Sequence, residues 1–164
     1  MPSSLNLAQK QLLKEWIAAS LWLGLIVVES TNALSAGNTS RILYPIFHFF
    51  TGVDPVRFQL WDYYIRKIGH VVGYFGLSVL LFRAWRVTLP FASALRWSMQ
   101  WARISFFMTA LVASLDEWHQ TYLSSRTGSM HDVLLDSSAA LTAQILIFLF
   151  LNPKRASARQ NASL

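Results

Sequence analysis

The chain contains no cysteine among its 164 residues. This absence excludes a disulfide framework, a thiolate zinc site and a cysteine nucleophile. Charged residues are also scarce, at 13% of the chain, whereas soluble domains usually carry about 25%. The sequence has no internal repeat, low-complexity run or glycine-rich phosphate loop. The shortage of charge indicates a protein whose solvent is lipid.

Apolar residues are correspondingly abundant. They make up 54% of the chain, seven tryptophans are present, and the mean hydropathy is +0.36. The net charge of +6 could indicate a nucleic-acid partner, but in a membrane protein basic residues first report topology. We therefore expect membrane lipids as partners and no nucleic acid. No oligomeric state follows from the sequence.

Four segments are long and apolar enough for a membrane helix, which needs roughly 20 residues. They cover residues 16–33, 68–85, 104–123 and 133–151. The predicted fold is an all-α, four-helix transmembrane bundle formed by a single domain over residues 1–152. Residues 153–164 are predicted to be a disordered polar tail. Because Lys10 and Lys14 precede a short apolar run and residues 33–36 resemble a cleavage site, a cleaved signal peptide is the alternative for the first span.

The distribution of charge predicts the orientation. With four spans, nine basic residues fall on the side of both termini and five on the other side. The bias places both termini in the cytoplasm and the chain in the inner, cytoplasmic membrane. Of the eight acids, only Glu15 lies on the cytoplasmic side.

The outer loop, residues 38–66, is rich in aromatics and is predicted to lie in the interface or to re-enter it. Asp54 and Pro55 predict a helix start there, and that helix could continue into the second span.

Polar residues on all four spans fall at a similar depth near the outer face. Lys67, His70 and Tyr74 share one helical stripe, at spacings of three and four. Asp116 and Gln120 share a stripe of the third span, with Glu117 beside them. Asp132 and Asp136 do the same in the fourth span, and Glu29 and Arg126 complete the set. Carboxylates in a bilayer are tolerated when they face inward and pair or line a wet cavity.

These residues resemble the VanZ-like family of small membrane proteins over roughly residues 20–150. The resemblance rests on Lys67-x-x-His70-x-x-x-Tyr74, Asp116-Glu117-x-x-Gln120, Arg126 and Asp132-x-x-x-Asp136. The family pattern usually has Asn at Asp136 and Gly at Ala139 and Ala143. The resemblance implies a link to glycopeptide-antibiotic resistance and to the cell envelope, but it brings no settled biochemical activity.

Four interpretations of the polar residues remain open. The first is binding, at the outer leaflet, of a lipid headgroup or of a lipid-linked cell-wall or envelope intermediate such as a lipid-linked glycan precursor. The others are a headgroup hydrolase or transferase, a proton-coupled transporter, and a structural ion-pair network. In the enzyme, His70 would be a general base held by Asp116 or Glu117. A variant with a divalent metal would use an oxygen-rich ligand set of His70, Asp116, Glu117, Asp132 and Asp136. It is disfavoured because the spacing matches no metal motif, so no metal and no cofactor are predicted.

The predicted site residues fall into two groups. The catalytic candidates are His70, Asp116 and Glu117. The substrate-binding candidates are Lys67, Tyr74, Gln120, Arg126, Asp132, Asp136 and Glu29.

Overall fold

The computed structural model describes residues 5–31, 35–89, 96–124 and 126–151. Within these ranges the chain is all-α, as predicted, with five helices and no strand. The helices are α1 (Leu7–Ser30), α2 (Ala36–Thr51), α3 (Pro55–Thr88), α4 (Met99–Gln120) and α5 (Met130–Leu151). The predicted tail at residues 153–164 lies outside the described residues, as do positions 33 and 34 of the cleavage-like segment.

Three of the described helices, α1, α3 and α5, are long and apolar enough to cross a membrane. The helix that corresponds to the third predicted span, α4, is not among them. It carries Arg103 near its start and both Asp116 and Glu117 near its end, and these charges lower its hydropathy. The composition of the described helices thus supports three of the four predicted spans.

The helix α3 begins where Asp54 and Pro55 predict it. The Asp54 side chain accepts hydrogen bonds from the backbone N–H groups of Val56 and Arg57, and the bond from Arg57 lowers the pKa of this carboxyl. The helix then runs for 34 residues without a break, which confirms the predicted continuation into the second span. At 1.5 Å per residue it is about 50 Å long, well beyond the roughly 30 Å of a bilayer core.

The additional length of α3 packs against α2, in the segment that the sequence predicts as an interfacial or re-entrant loop. This segment is helical, with Pro45 inside it and Gly52 ending it in the left-handed conformation at φ 65°. Tyr44 and Phe47 pack on Phe58, with ring centroids 5.3 and 5.8 Å apart. The aromatic run is therefore one side of a helical hairpin, and its depth in a membrane stays a prediction.

The helix α3 lies at the centre of the bundle, where it packs against α1, α4 and α5. Trp16 of α1 donates to Thr88 at the end of α3, and Trp22 donates to the Gly73 carbonyl, so α1 and α3 are antiparallel. The glycines of α3 allow this approach, because the Trp22 ring covers Gly76. On the other side, Ala140 and Ala143 of α5 are fully buried. This packing brings the polar ends of the helices together.

Candidate functional site

The stripe of Lys67, His70 and Tyr74 on α3 faces α4 and α5. Lys67 forms an ion pair with Asp132, His70 bonds Asp136 and Tyr74 bonds Asp116. The side chains therefore meet at one end of the bundle, where α4 and α5 are joined. We use the name polar cluster for the ten predicted site residues: Glu29, Lys67, His70, Tyr74, Asp116, Glu117, Gln120, Arg126, Asp132 and Asp136.

His70 pairs with a carboxylate that differs from the one expected. Its Nδ1 lies 3.1 Å from Oδ2 of Asp136, whose side chain is completely buried. The sequence interpretation had Asp116 or Glu117 in this position. Helix periodicity shows which residues share a face, but not how far a neighbouring helix is rotated. In the neutral imidazole, a bond to an accepting carboxylate places the proton on Nδ1 and leaves the lone pair on Nε2.

Asp116 is held by two donors. The Tyr74 hydroxyl donates to its Oδ2 over 2.9 Å, and the Gln120 amide donates to the same oxygen over 3.2 Å. The second bond joins residues one turn apart on α4, as their spacing predicts. Both contacts fix the orientation of the carboxylate and leave its other oxygen without a hydrogen bond from any described residue.

Glu117 is buried, with 3% of its surface exposed. The backbone N–H of Ser129 donates to its Oε2 over 2.8 Å. Its Oε1 is also buried and has no hydrogen-bond partner among the described residues. Gly128 allows the α4–α5 loop to approach, because a Cβ there would lie 2.2 Å from the Glu117 carbonyl oxygen. Sequence reasoning missed Ser129, since a backbone donor has no side-chain signature.

Arg126 connects this loop to the end of α1. One guanidinium nitrogen, Nη2, donates to the carbonyl oxygens of Glu29 and Thr31 over 2.5 and 3.4 Å. Cations are favoured near a helix C-terminus, where carbonyl groups lack helical partners. Burial lowers the pKa of the Arg126 guanidinium, which nevertheless stays charged.

A small cavity lies in the polar cluster, between α1, α3 and α4. Its polar lining consists of Glu29, Ser30, His70, Tyr74, Asp116, Gln120 and Arg126. The enclosed space has room for about one water molecule. Four members of the polar cluster are not part of this lining: Lys67, Glu117, Asp132 and Asp136. The cavity wall also includes Ile26, Gly69 and Gly73. These three residues line a neighbouring groove as well.

A longer groove runs along the seam of α1, α2 and α3. Its wall is mostly apolar, with Trp22, Leu25 and Val72 among its residues. Asp62 and Arg66 add a polar end and pair at 3.4 Å. The groove shares Ile26, Glu29, Gly69 and Gly73 with the cavity, so the two spaces adjoin along one stretch of wall.

Negative charge exceeds positive charge in the polar cluster. The cluster holds five carboxylates, whereas Lys67 and Arg126 are its permanent cations and His70 can add a third charge. Lys67 is already paired with Asp132. An arrangement with this imbalance attracts cations, ammonium groups and hydroxyl donors.

Two polar contacts away from the cluster were also missed. At the opposite end of the bundle, Arg83 contacts Glu15 through two nitrogens, at 2.9 and 3.0 Å. In the interior, Gln144 donates to the Ser78 hydroxyl over 2.7 Å. Residues that lie this far apart along the chain form no helical pattern that would reveal their pairing. The remaining histidines, His48, His119 and His131, are exposed and take no part in the cluster.

Comparison with known proteins identifies a family but no individual relative. No curated protein and no solved structure matches the chain. A family model described as VanZ/LLP1 matches residues 15–151, a range that contains the whole polar cluster. The resemblance inferred from the motifs is thereby confirmed, and the chain belongs to the VanZ/LLP1 family.

Proposed function

We propose that α4 is a fourth membrane span and that both termini lie in the cytoplasm. The support is that α4 packs along the length of α3: Tyr74 bonds Asp116 near one end, and Trp101 donates to the Leu89 carbonyl near the other. A helix that contacts a membrane-spanning helix near both of its ends lies at the same depth in the membrane as that helix. The excess of basic residues on the side of the termini gives the orientation. The polar cluster then lies at the outer leaflet.

The proposed position of the polar cluster at the outer leaflet also indicates a function. We propose that the protein binds the headgroup of a phosphate-linked lipid at the outer leaflet, such as a lipid-linked intermediate of the cell envelope. One observation carries the proposal: the apolar groove and the polar cavity share a wall formed by Ile26, Glu29, Gly69 and Gly73. An amphipathic ligand needs both surfaces side by side.

The chemistry of the two spaces indicates how such a lipid would lie. An acyl chain would follow Trp22, Leu25 and Val72 along the groove. Its phosphate would approach the guanidinium groups of Arg66 and Arg126, which suit phosphate oxygens. The carboxylates would accept hydrogen bonds from hydroxyl or ammonium groups of the headgroup. Because the cavity has room for about one water molecule, only a small part of the headgroup would enter it.

Lipid that remains bound during purification tests the proposal. The chain would be extracted with its surrounding lipids in a polymer nanodisc, and the lipids compared with those of the whole membrane by mass spectrometry. We expect enrichment of one phosphate-linked class. Asp116→Asn should lose the enrichment, whereas Ser114→Ala, exposed on the same helix, should keep it. A lipid composition equal to that of the membrane would refute the proposal.

A second candidate function is hydrolysis or transfer of the headgroup. The observation that favours it is the His70–Asp136 pair beside the cavity, since a histidine oriented by a buried carboxylate can act as a general base. His70 would take a proton from the attacking hydroxyl or water, and Arg126 would stabilise developing negative charge.

Binding and catalysis separate in the His70→Gln variant. If the site is catalytic, this variant should retain the enriched lipid but no longer convert it when incubated with a membrane lipid extract. A wild-type protein that binds the lipid and releases no product over the same time would leave binding as the function. A change in glycopeptide susceptibility on expression of the chain would extend either function to antibiotic resistance.

A further inference from the structure

We propose that His70, Asp116 and Glu117 bind a divalent first-row transition-metal ion. One ligand atom from each residue lies within 4.8 Å of the other two. The imidazole comes from α3 and the two carboxylates from adjacent residues at the end of α4. This inference goes beyond headgroup binding and does not depend on it.

Each of the three residues is held at one atom, so that another atom is left for an ion. Asp136 engages Nδ1 of His70, Tyr74 engages Oδ2 of Asp116, and the Ser129 N–H engages Oε2 of Glu117. Nε2, Oδ1 and Oε1 remain. In a metal-binding histidine, the ring nitrogen that does not bind the metal almost always donates a hydrogen bond, often to a carboxylate. Carboxylates that bind a metal are themselves hydrogen-bonded.

The Oε1 atom of Glu117 gives an independent reason to expect a cation. It is buried in a side chain with 3% exposure and has no hydrogen-bond partner among the described residues. A buried carboxylate oxygen without a donor is unfavourable. A metal ion between His70 and Asp116 would satisfy it and would also offset the excess of negative charge in the polar cluster.

The ligand set selects the kind of ion. Zinc holds imidazole nitrogens and carboxylate oxygens at about 2.0–2.2 Å, and its reactive sites use three protein ligands with one open position. Manganese accepts the same donors. Calcium prefers six to eight oxygens, so an imidazole with two carboxylates suits it poorly. The three side chains would close by roughly an ångström around the ion, and two of them, His70 and Asp116, also line the cavity.

The positions of the three ligands along the chain explain why the sequence indicates no metal site. Local motifs such as H-E-x-x-H place their ligands on one helix, whereas His70 on α3 precedes Asp116 and Glu117 on α4 by 46 and 47 positions along the chain. The prediction of no metal rested on that spacing, and the distances in the folded chain provide the observation that it lacked.

Metal content of the purified full-length chain tests the proposal. The protein would carry a tag without histidine, be treated with EDTA in detergent, and be desalted after incubation with Zn²⁺ or Mn²⁺, with no lipid added. Mass spectrometry of the elements should find about one ion per chain, as expected for a single site. A wild-type chain that retains neither ion overturns the proposal, whatever the lipid experiments show.

Variants locate the ion. Glu117→Gln and His70→Gln should each weaken binding at least about tenfold in competition with a chelating indicator, and Asp136→Asn about 10- to 100-fold through His70. His119→Gln is the matched control, because His119 is exposed on α4, and it should bind like the wild type. Thermal stabilisation by Zn²⁺ in the wild type, and its loss in folded Glu117→Gln, gives a second measurement. Equal affinity in Glu117→Gln and the wild type would overturn the assignment.

Discussion

Oδ2 of Asp136 lies 3.1 Å from Nδ1 of His70, in a part of the α3–α5 seam where the aspartate has no exposed surface. The contact orients the only histidine in the cavity lining. Because the two residues lie on different helices, the hydrogen bond that orients the His70 ring also fixes the register of α5 on α3.

The Asp136 contact predicts a graded series of variants. Asp136→Ala leaves Nδ1 of the half-buried His70 without its partner and should cost about 1–3 kcal/mol. Asp136→Asn retains an acceptor and should cost less than Ala. Unfolding in mixed micelles with increasing SDS, followed by tryptophan fluorescence, measures both. Ser138→Ala, exposed on the same helix, should change stability by less than about 0.5 kcal/mol. Equal losses for Asn and Ala would mean that the hydrogen bond is not the source of the stability.

The approach of Gly128 to α4 predicts that this position does not accept a side chain. A Cβ would lie 2.2 Å from the Glu117 carbonyl oxygen and 2.6 Å from a methyl group of Thr121. Gly128→Ala should therefore cost about 1–3 kcal/mol, as overpacking does, and should displace the Ser129 donor from Glu117. Gly24→Ala, where a Cβ meets nothing within 4 Å, is the control and should fold like the wild type. A fully stable Gly128→Ala would contradict the observed loop position.

The Glu15–Arg83 pair should affect stability and not ligand binding. Arg83 is 13 positions beyond His70 on α3, or about 20 Å along the helix. Arg83→Gln leaves Glu15 buried with one amide donor from Gln11 and should lower the free energy of unfolding by about 1–3 kcal/mol. Lipid enrichment and metal binding should be unchanged. Arg86→Gln, exposed on the same helix, should alter neither property. If Arg83→Gln removed the lipid, the two ends of the bundle would be coupled.

The proposed span α4 can be tested with single cysteines, because the chain has none of its own. Gln100 lies near the start of α4 and Ser124 lies four residues beyond its end, and both are exposed. A membrane-impermeant maleimide added to intact spheroplasts should label Ser124→Cys and not Gln100→Cys. After permeabilisation both should react. Labelling of both positions from the same side in intact spheroplasts would show that α4 does not cross.

Local features of the fold could be predicted from the sequence. The Asp54–Pro55 start of α3 depends on hydrogen bonds within one turn, and the shared stripe of Lys67, His70 and Tyr74 follows from helical spacing. The helix α2 was harder, because Pro45 inside it and Gly52 at its end are typical of a loop. Its helical form is supported by contacts with Phe58, which lies in another element.

Contacts between helices could not be predicted in the same way. Asp136, rather than Asp116 or Glu117, pairs with His70 because of how α4 and α5 are rotated against α3. The spacing of Asp132 and Asp136 fixes their common face but not their partners. The Glu15–Arg83 pair joins residues 68 positions apart, and the Ser129 donor is a backbone group. Each of these depends on the packing of whole helices.

The central claim is that the polar cluster recognises a lipid headgroup through its phosphate and its hydrogen-bond donors. Native mass spectrometry of the delipidated chain, titrated with phosphatidylethanolamine, phosphatidylglycerol or phosphatidylcholine, tests it most directly. The first two headgroups offer N–H or O–H donors to the carboxylates, and the third offers none. We expect one bound lipid per chain and about a tenfold preference for the donor-bearing lipids, which Asp116→Asn should abolish. Equal retention of all three lipids by the wild type would contradict the account.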